Sequence, residues 1–329
     1  MGKRSASMDA DGLDPIETSP SRRTRSRHRD IASDDDDTSS SSASLEEDDG
    51  SRLMRAVRVE GHGGRANQLL VSMTPHATAN VVYFPGDVQN FEHRMRKGRF
   101  KAWTAYSYEA TAAVLAAKYP TATIWIVQPH RIEANGVSSF DNFVPRRDPL
   151  DPMTYSPQGH AIEHLRLLME HACACIDNAA YLRPDLQLHL LGFSRGVAVV
   201  NQMVTELALT TQRPMDDHVP PTLLPFFKQV VSIHWIDGGN GSGAGAFPSH
   251  SLALSVLGDL PSLKLHLHWT PYQFASDLRP WIAHEGVAFC RNMEGRGLHP
   301  IVHQYFANTG GSLEDHFKVL VAMQVDTPP

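Results

Sequence analysis

Residues 186–200 read LQLHLLGFSRGVAVV, and no other stretch constrains the fold as tightly. An apolar, strand-like run ends at Gly192, and an apolar, helix-like run begins at Gly196. Between them lies Gly192-Phe193-Ser194-Arg195-Gly196, a G-x-S-x-G pattern. A serine at a tight strand-to-helix turn has the layout of a nucleophile elbow, with its hydroxyl pushed outward by a strained backbone. A Cβ at either flanking position would clash with the neighbouring strand and helix, so both are glycine. The following helix aims free N–H groups at the turn, where negative charge would develop. The bare pattern arises by chance about once in ten chains of this length. Its strand before and unbroken helix after raise it above that level.

The first fifty residues carry few apolar side chains. A basic run from Arg22 to Arg29 precedes an acidic, serine-rich run from Ser33 to Asp49. Such a segment cannot bury enough surface to offset its ordering entropy. Residues 1–50 are therefore expected to be a disordered tail, and residues 51–329 a single domain. No apolar run reaches the roughly 18 residues that span a bilayer. Met1 to Pro20 lacks the apolar centre of a secretory signal, and Asp9, Asp11 and Asp14 interrupt any presequence-like pattern. The net charge is −6 and the one basic cluster lies in the tail, so no nucleic-acid partner is expected. Three cysteines are too few for a disulfide framework, which points to a reducing compartment.

Within the domain, residues 53–59, 68–72 and 80–84 read as strands divided by turn chemistry, an opening meander. Strands and helices then alternate. Helices are expected at 103–118, 160–180, 197–209, 251–257, 281–292 and 314–323. Strands are expected at 122–128, 187–191, 228–236, 263–269 and 299–306. Alternation of this kind gives a mostly parallel sheet with helices on both faces. Its strands deliver their C-terminal ends to one edge, where active sites of open α/β sheets form.

A serine hydroxyl is a poor nucleophile until a base takes its proton. That base is usually a histidine whose tautomer a carboxylate fixes. Elbow-type hydrolases run Ser, acid, His along the chain. His316, at the start of the last expected helix, fits the final position, with His299 and His303 as rivals. Two carboxylates fit the middle position. Asp277 lies in the loop after strand 263–269, the commoner acid position, and is preferred. Asp237, directly after strand 228–236, is the alternative. Each also has an ordinary role, Asp237 as a turn former and Asp277 as a helix N-cap. An oxyanion hole needs two backbone donors. One is the N–H of Arg195, and the other comes from Gly86 or Asp87 in the loop after strand 80–84. The Arg195 side chain is expected to make a surface ion pair. Phe140, Phe143, Phe247 and Tyr272 are candidate apolar walls for an acyl-bearing or other small-molecule substrate. His266 and His268 share one face of a strand. No H-x-x-E-H or C-x-x-C pattern accompanies them, so no metal is expected. No G-x-G-x-x-G or phosphate loop follows the early strands, so no nucleotide cofactor is expected.

Six spaced motifs carry a family resemblance: VVYFPGDVQNF (81–91), FDNFV (140–144), LLGFSRG (190–196), HWIDGG (234–239), TPYQ with Asp277, Arg279 and Trp281, and EDHF (314–317). In this order they resemble the human chromosome 2 open reading frame 69 family, over about Asn80 to Phe317. The resemblance implies an α/β-hydrolase-like fold without a large cap domain, a serine hydrolase role and mitochondrial association. It carries the family's Asp-Gly-Gly, post-strand Asp and His-Phe motifs onto Asp237, Asp277 and His316, and its basic residue after the serine onto Arg195. Two departures stand out. Residues 1–50 form no recognisable presequence, which keeps the cytoplasm as an alternative compartment. Residues 145–186 lack the long polar insertion of the vertebrate members. The expected function is hydrolysis of an ester, thioester or amide. The alternative is a catalytically silent relative that binds a partner or lipid in support of mitochondrial function. A third reading makes the tail a phosphorylated docking segment for protein partners.

Overall fold

The computed structural model describes residues 52–145, 154–176, 183, 185–211, 223–239, 243–260 and 262–325. The tail expected over residues 1–50 lies outside them. The strands are β1 (Leu53–Glu60), β2 (Ala66–Met73), β3 (Ala79–Phe84), β4 (Ala122–Val127), β5 (Arg131–Ile132), β6 (Ser138–Ser139), β7 (Gln187–Phe193), β8 (Val230–Ile236), β9 (Lys264–Trp269) and β10 (Ile301–Gln304). Eight of them form one sheet in the order β1-β2-β4-β3-β7-β8-β9-β10, and β5 and β6 form a separate two-stranded hairpin. Only the β1–β2 and β2–β4 pairings of the large sheet are antiparallel. From β4 to β10 every neighbour is parallel. This is an α/β-hydrolase-like architecture.

The opening meander stops after its first hairpin. β2 pairs with β4, and β3 sits between β4 and β7. Burial explains the order. All six residues of β3 are buried, whereas β1 exposes Ala56, Arg58 and Glu60. A strand apolar on both faces needs cover on both, which only the sheet interior supplies. β1 takes the edge.

The helices are α1 (Glu92–Lys97), α2 (Tyr108–Lys118), α3 (Ala161–Cys175), α4 (Val197–Glu206), α5 (Leu223–Phe227), α6 (Ser251–Gly258), α7 (Pro271–Phe274), α8 (Pro280–Glu294) and α9 (Leu313–Ala322). The helix expected over 103–118 is divided at Ser107, whose side chain caps α2 by accepting the Ala110 N–H. Residues 101–106 before it form a 3₁₀ turn. On one face of the sheet, Trp125 and Val127 of β4 join a core built with α3, α4, α6 and α8. On the other face, Ile124 and Ile126 pack with α2 and α9. Alternation along each strand therefore feeds two apolar layers. Burying each such side chain contributes roughly 1.5–3 kcal/mol. No helix among the described residues is long and apolar enough to cross a membrane. β3, β7, β8 and β9 end side by side, and the loops that leave them build the site.

Candidate active site

β7 ends at Phe193, and a 3₁₀ turn over Ser194–Gly196 leads into α4. Ser194 has φ 50°, the left-handed region, which costs an L-residue roughly 1–2 kcal/mol. Its surroundings enforce that conformation. A Cβ on Gly192 would lie 2.7 Å from the Val197 Cα, and one on Gly196 would lie 2.0 Å from the Phe84 carbonyl oxygen. The turn can pass between β3 and α4 only with glycine on both sides of the serine.

Asp237, directly after β8, also has positive φ, at 42°, and is fully buried. Its N–H donates to the His268 carbonyl (2.7 Å). The N–H and hydroxyl of Thr270 donate to the two carboxylate oxygens, at 2.8 and 2.6 Å. The Thr270 hydroxyl shares Oδ2 with His316 Nδ1, which lies 2.6 Å away. α9 presents His316 in its first turn. Ser312 caps that turn by accepting the Asp315 N–H, and Asp315 accepts from Ser312 and Thr309. Those bonds, Thr309 first, hold the Asp315 carboxyl below its ordinary range. The imidazole lies between Phe193 (ring centroids 4.6 Å apart) and Tyr272 (4.7 Å).

A carboxylate on Nδ1 places the proton there and leaves the Nε2 lone pair available. Neither Nε2 nor the Ser194 hydroxyl has a protein partner among the described residues, and no hydrogen bond joins the two. Neither is sealed from solvent. Catalytic hydrogen bonds are often long in a ligand-free site and tighten when substrate binds.

The preference for Asp277 is corrected by this arrangement. Asp277 is exposed and makes no bond to His316. Past β9 the chain closes into α7 and carries Asp277 to the surface, while the strained turn after β8 points Asp237 at α9. Of the rival histidines, His299 is exposed, and His303 contacts His266 at 3.3 Å.

The loop after β3 is held from several sides. Gln89, missed in the sequence, accepts the Gly86 N–H (3.0 Å) and the Tyr83 hydroxyl. Gly86 therefore offers no oxyanion donor, a second correction. Its lack of a side chain still matters, because a Cβ there would lie 2.8 Å from the Ser194 Cβ. The Asp87 N–H has no acceptor among the described residues. The Asp87 carboxylate accepts the Ser138 N–H (2.7 Å) and pairs with Arg195 Nε (2.9 Å). The Arg195 side chain is only 16% exposed, so its ion pair spans the elbow and this loop and does not lie at the open surface. The first N–H groups of a helical turn have no intrahelical acceptor, which leaves that of Arg195 to face the site.

Three of the four expected substrate walls are core residues. Phe143 and Phe140 pack edge-on against Phe84, and Phe247 stacks on Phe289. Their loops turn inward because burying a phenylalanine outweighs exposing it to solvent. Tyr272 alone stays at the site, half-buried beside His316 with Arg279 over its ring.

A histidine stripe crosses the sheet below the site. Register sets His234 opposite His266, and His268 opposite His303. Ligating atoms of His234, His266 and His268 lie within 4.8 Å of one another. The three rings are within 14° of parallel. Imidazole lone pairs lie in the ring plane, so parallel rings do not aim them at a common point. A chain of hydrogen bonds links Ser232, His234, His268 and Tyr305, at 2.9, 3.0 and 3.0 Å. Binding a metal there would break it.

The motifs behind this geometry fit a known family. The C2orf69 family model matches residues 55–184 and 173–299. The chain belongs to the C2orf69 family. Its relatives include the mouse (Mus musculus) "Mitochondrial protein C2orf69 homolog", 26% identical over 325 residues, covering 83% of this chain and 87% of that protein. The zebrafish (Danio rerio) protein of the same name is 29% identical over 254 residues, covering 73% and 72%. Among solved structures, a cold-adapted esterase from an Arctic intertidal metagenomic library aligns with a TM-score of 0.42 and 13% identity, covering 86% of this chain and 97% of that one. The fold assignment for this C2orf69 member stands on its own strand order and pairing.

Proposed function

We propose that the protein is a serine hydrolase acting on an ester, thioester or amide. Ser194 attacks the carbonyl carbon and passes its proton to His316 Nε2. The oxyanion is held by the N–H groups of Arg195 and Asp87, each contributing on the order of 3 kcal/mol in the transition state. Collapse of the intermediate expels the leaving group with the proton from His316. Water, deprotonated by His316, then releases the acyl group as a carboxylic acid and restores the serine. Asp237 keeps the proton on Nδ1 and stabilises the imidazolium. The observation that carries this reading is the buried 2.6 Å bond from His316 to Asp237 beside a strained serine.

One observation favours the silent-binder reading. Ser194 and His316 are only 8% and 3% exposed and share no hydrogen bond. A fluorophosphonate probe separates the two. Under the hydrolase reading the wild-type protein labels, Ser194→Ala does not, and His316→Ala labels slower by about 100-fold or more. A folded wild-type protein that stays unlabelled would leave the binder.

The names of the relatives support a mitochondrial location for this chain as well. Cell fractionation should recover it with a mitochondrial marker, and recovery in the cytosol would favour the alternative.

A further inference from the structure

A cavity of about 340 Å³ opens beside β4, on the strand-end edge that carries Ser194. Its walls combine three chemistries. Arg58 of β1 and Arg94 of α1 enter from two separate elements. The one acid in the lining, Glu133, is already paired with Arg131 at 2.9 Å. Arg58 and Arg94 make no ion pair among the described residues. Met95, Phe100 and Ile132 give the cavity apolar surface. Asn90 and Gln128, joined at 3.1 Å, give it fixed amides. Both arginines are solvent-exposed, and the planar guanidinium fork suits phosphate.

The cavity lining reaches the loop that carries Asp87, through Val88 and Asn90. Val88 lines it and has φ 73°, an outlier for a β-branched residue. Its N–H is pinned to the Gly136 carbonyl at 2.7 Å. Asp87, one Cα step of about 3.8 Å earlier, offers the unused N–H and holds Arg195. Strain of this kind persists where the surroundings over-determine it, and it clusters at ligand sites.

The geometry points to a phosphate-binding subsite: the substrate carries a phosphate group on the same molecule as the acyl bond, seated between Arg58 and Arg94 with its apolar stem along Met95 and Phe100. This inference rests on the hydrolase reading for its use of Ser194, but the subsite can be tested without turnover.

Calorimetric titration of Ser194→Ala with octyl phosphate, octanol and inorganic phosphate tests it. Octyl phosphate should bind one to one and octanol should not. Arg58→Ala with Arg94→Ala, in the same background, should weaken octyl phosphate by roughly ten-fold or more. The arginine pair replaced in the Ser194→Ala protein should keep that protein's thermal midpoint, which separates loss of the subsite from a misfolded domain. Affinity that is unchanged in the arginine variants overturns the subsite. Binding of inorganic phosphate alone also overturns it, since the apolar stem then contributes nothing. Sedimentation with phosphatidylcholine vesicles, with and without phosphatidic acid, covers the remaining source. Arginine-dependent binding confined to the phosphatidic acid vesicles would make the patch a membrane-surface contact and overturn the subsite. If the wild-type serine never labels while octyl phosphate still binds through the arginines, the hydrolase reading fails and the phosphate subsite stands.

Discussion

Asp237 accepts His316 and the Thr270 hydroxyl on one oxygen and the Thr270 N–H on the other. A carboxamide could not reproduce that pattern, because its nitrogen would face donors already in place. Asp237→Asn is therefore expected to lower turnover by about four orders of magnitude. Asp277→Asn should leave turnover near wild type, since its exposed carboxylate touches none of these groups. The comparison is made by the rate of probe labelling, or by kcat once an ester is in hand. Equal losses in both variants would return the acid role to an open question. In the sequence both aspartates followed strands, and the later loop, as the commoner acid position, favoured Asp277. What separates them is a contact between residues 79 positions apart.

The histidine stripe belongs to the elements. His266 and His268 were legible as one face of a strand. Their alignment with His234 and His303 is a matter of register between β8, β9 and β10, which no local pattern encodes. Burial, with His266 and the other stripe histidines adding to it, holds His234 well below the ordinary imidazole range. The same is true of His268, where His303 is the first neighbour and Lys118 adds. His164, buried beside Arg65, is pushed down to about 3. Unfolded, these groups take a proton near pH 6.5, while the native state keeps them neutral to lower pH. The unfolded state then binds more protons, and stability falls as the pH drops below about 6.5. Glu206 works in the opposite sense. Its burial pushes the carboxyl up to about 7 against 4.5, so its contribution is present at low pH and lost as the pH rises through 7. Three imidazoles outweigh one carboxyl. The thermal midpoint should climb from about pH 5 to about pH 6.5 and then level off. A flat profile would mean that the buried imidazoles are charged in the native protein.

For the whole molecule, every group in the proposed catalytic site lies between Asp87 and His316, delivered by loops after β3, β7 and β8 and by α9. Removing residues 1–50 is accordingly expected to leave probe labelling and the thermal midpoint unchanged. Loss of either would support a role for the tail in the domain, and a cellular defect with both intact would support the docking reading. The reach of local pattern is visible in the sheet itself. Each early strand was readable from its β-branched run and bounding turns. The insertion of β3 between β4 and β7 was not, because it depends on which strand most needs cover on both faces.

The sequence by itself determined the parallel α/β layers, the elbow around Ser194 and the candidates Asp277, Asp237 and His316. These follow from burial period and glycine at a forced turn, which act over a few residues, and from the order of motifs along the chain. Tertiary structure alone decided that Asp237 meets His316, that Gln89 occupies the Gly86 N–H, that Phe140, Phe143 and Phe247 belong to the core, and that Arg58 and Arg94 face one cavity. Apart from Gln89, which lies three residues from Gly86, each of these brings together groups far apart in the chain. A side chain's partner is set by crossovers and register, and the free energy that selects it is available only once the sheet has assembled.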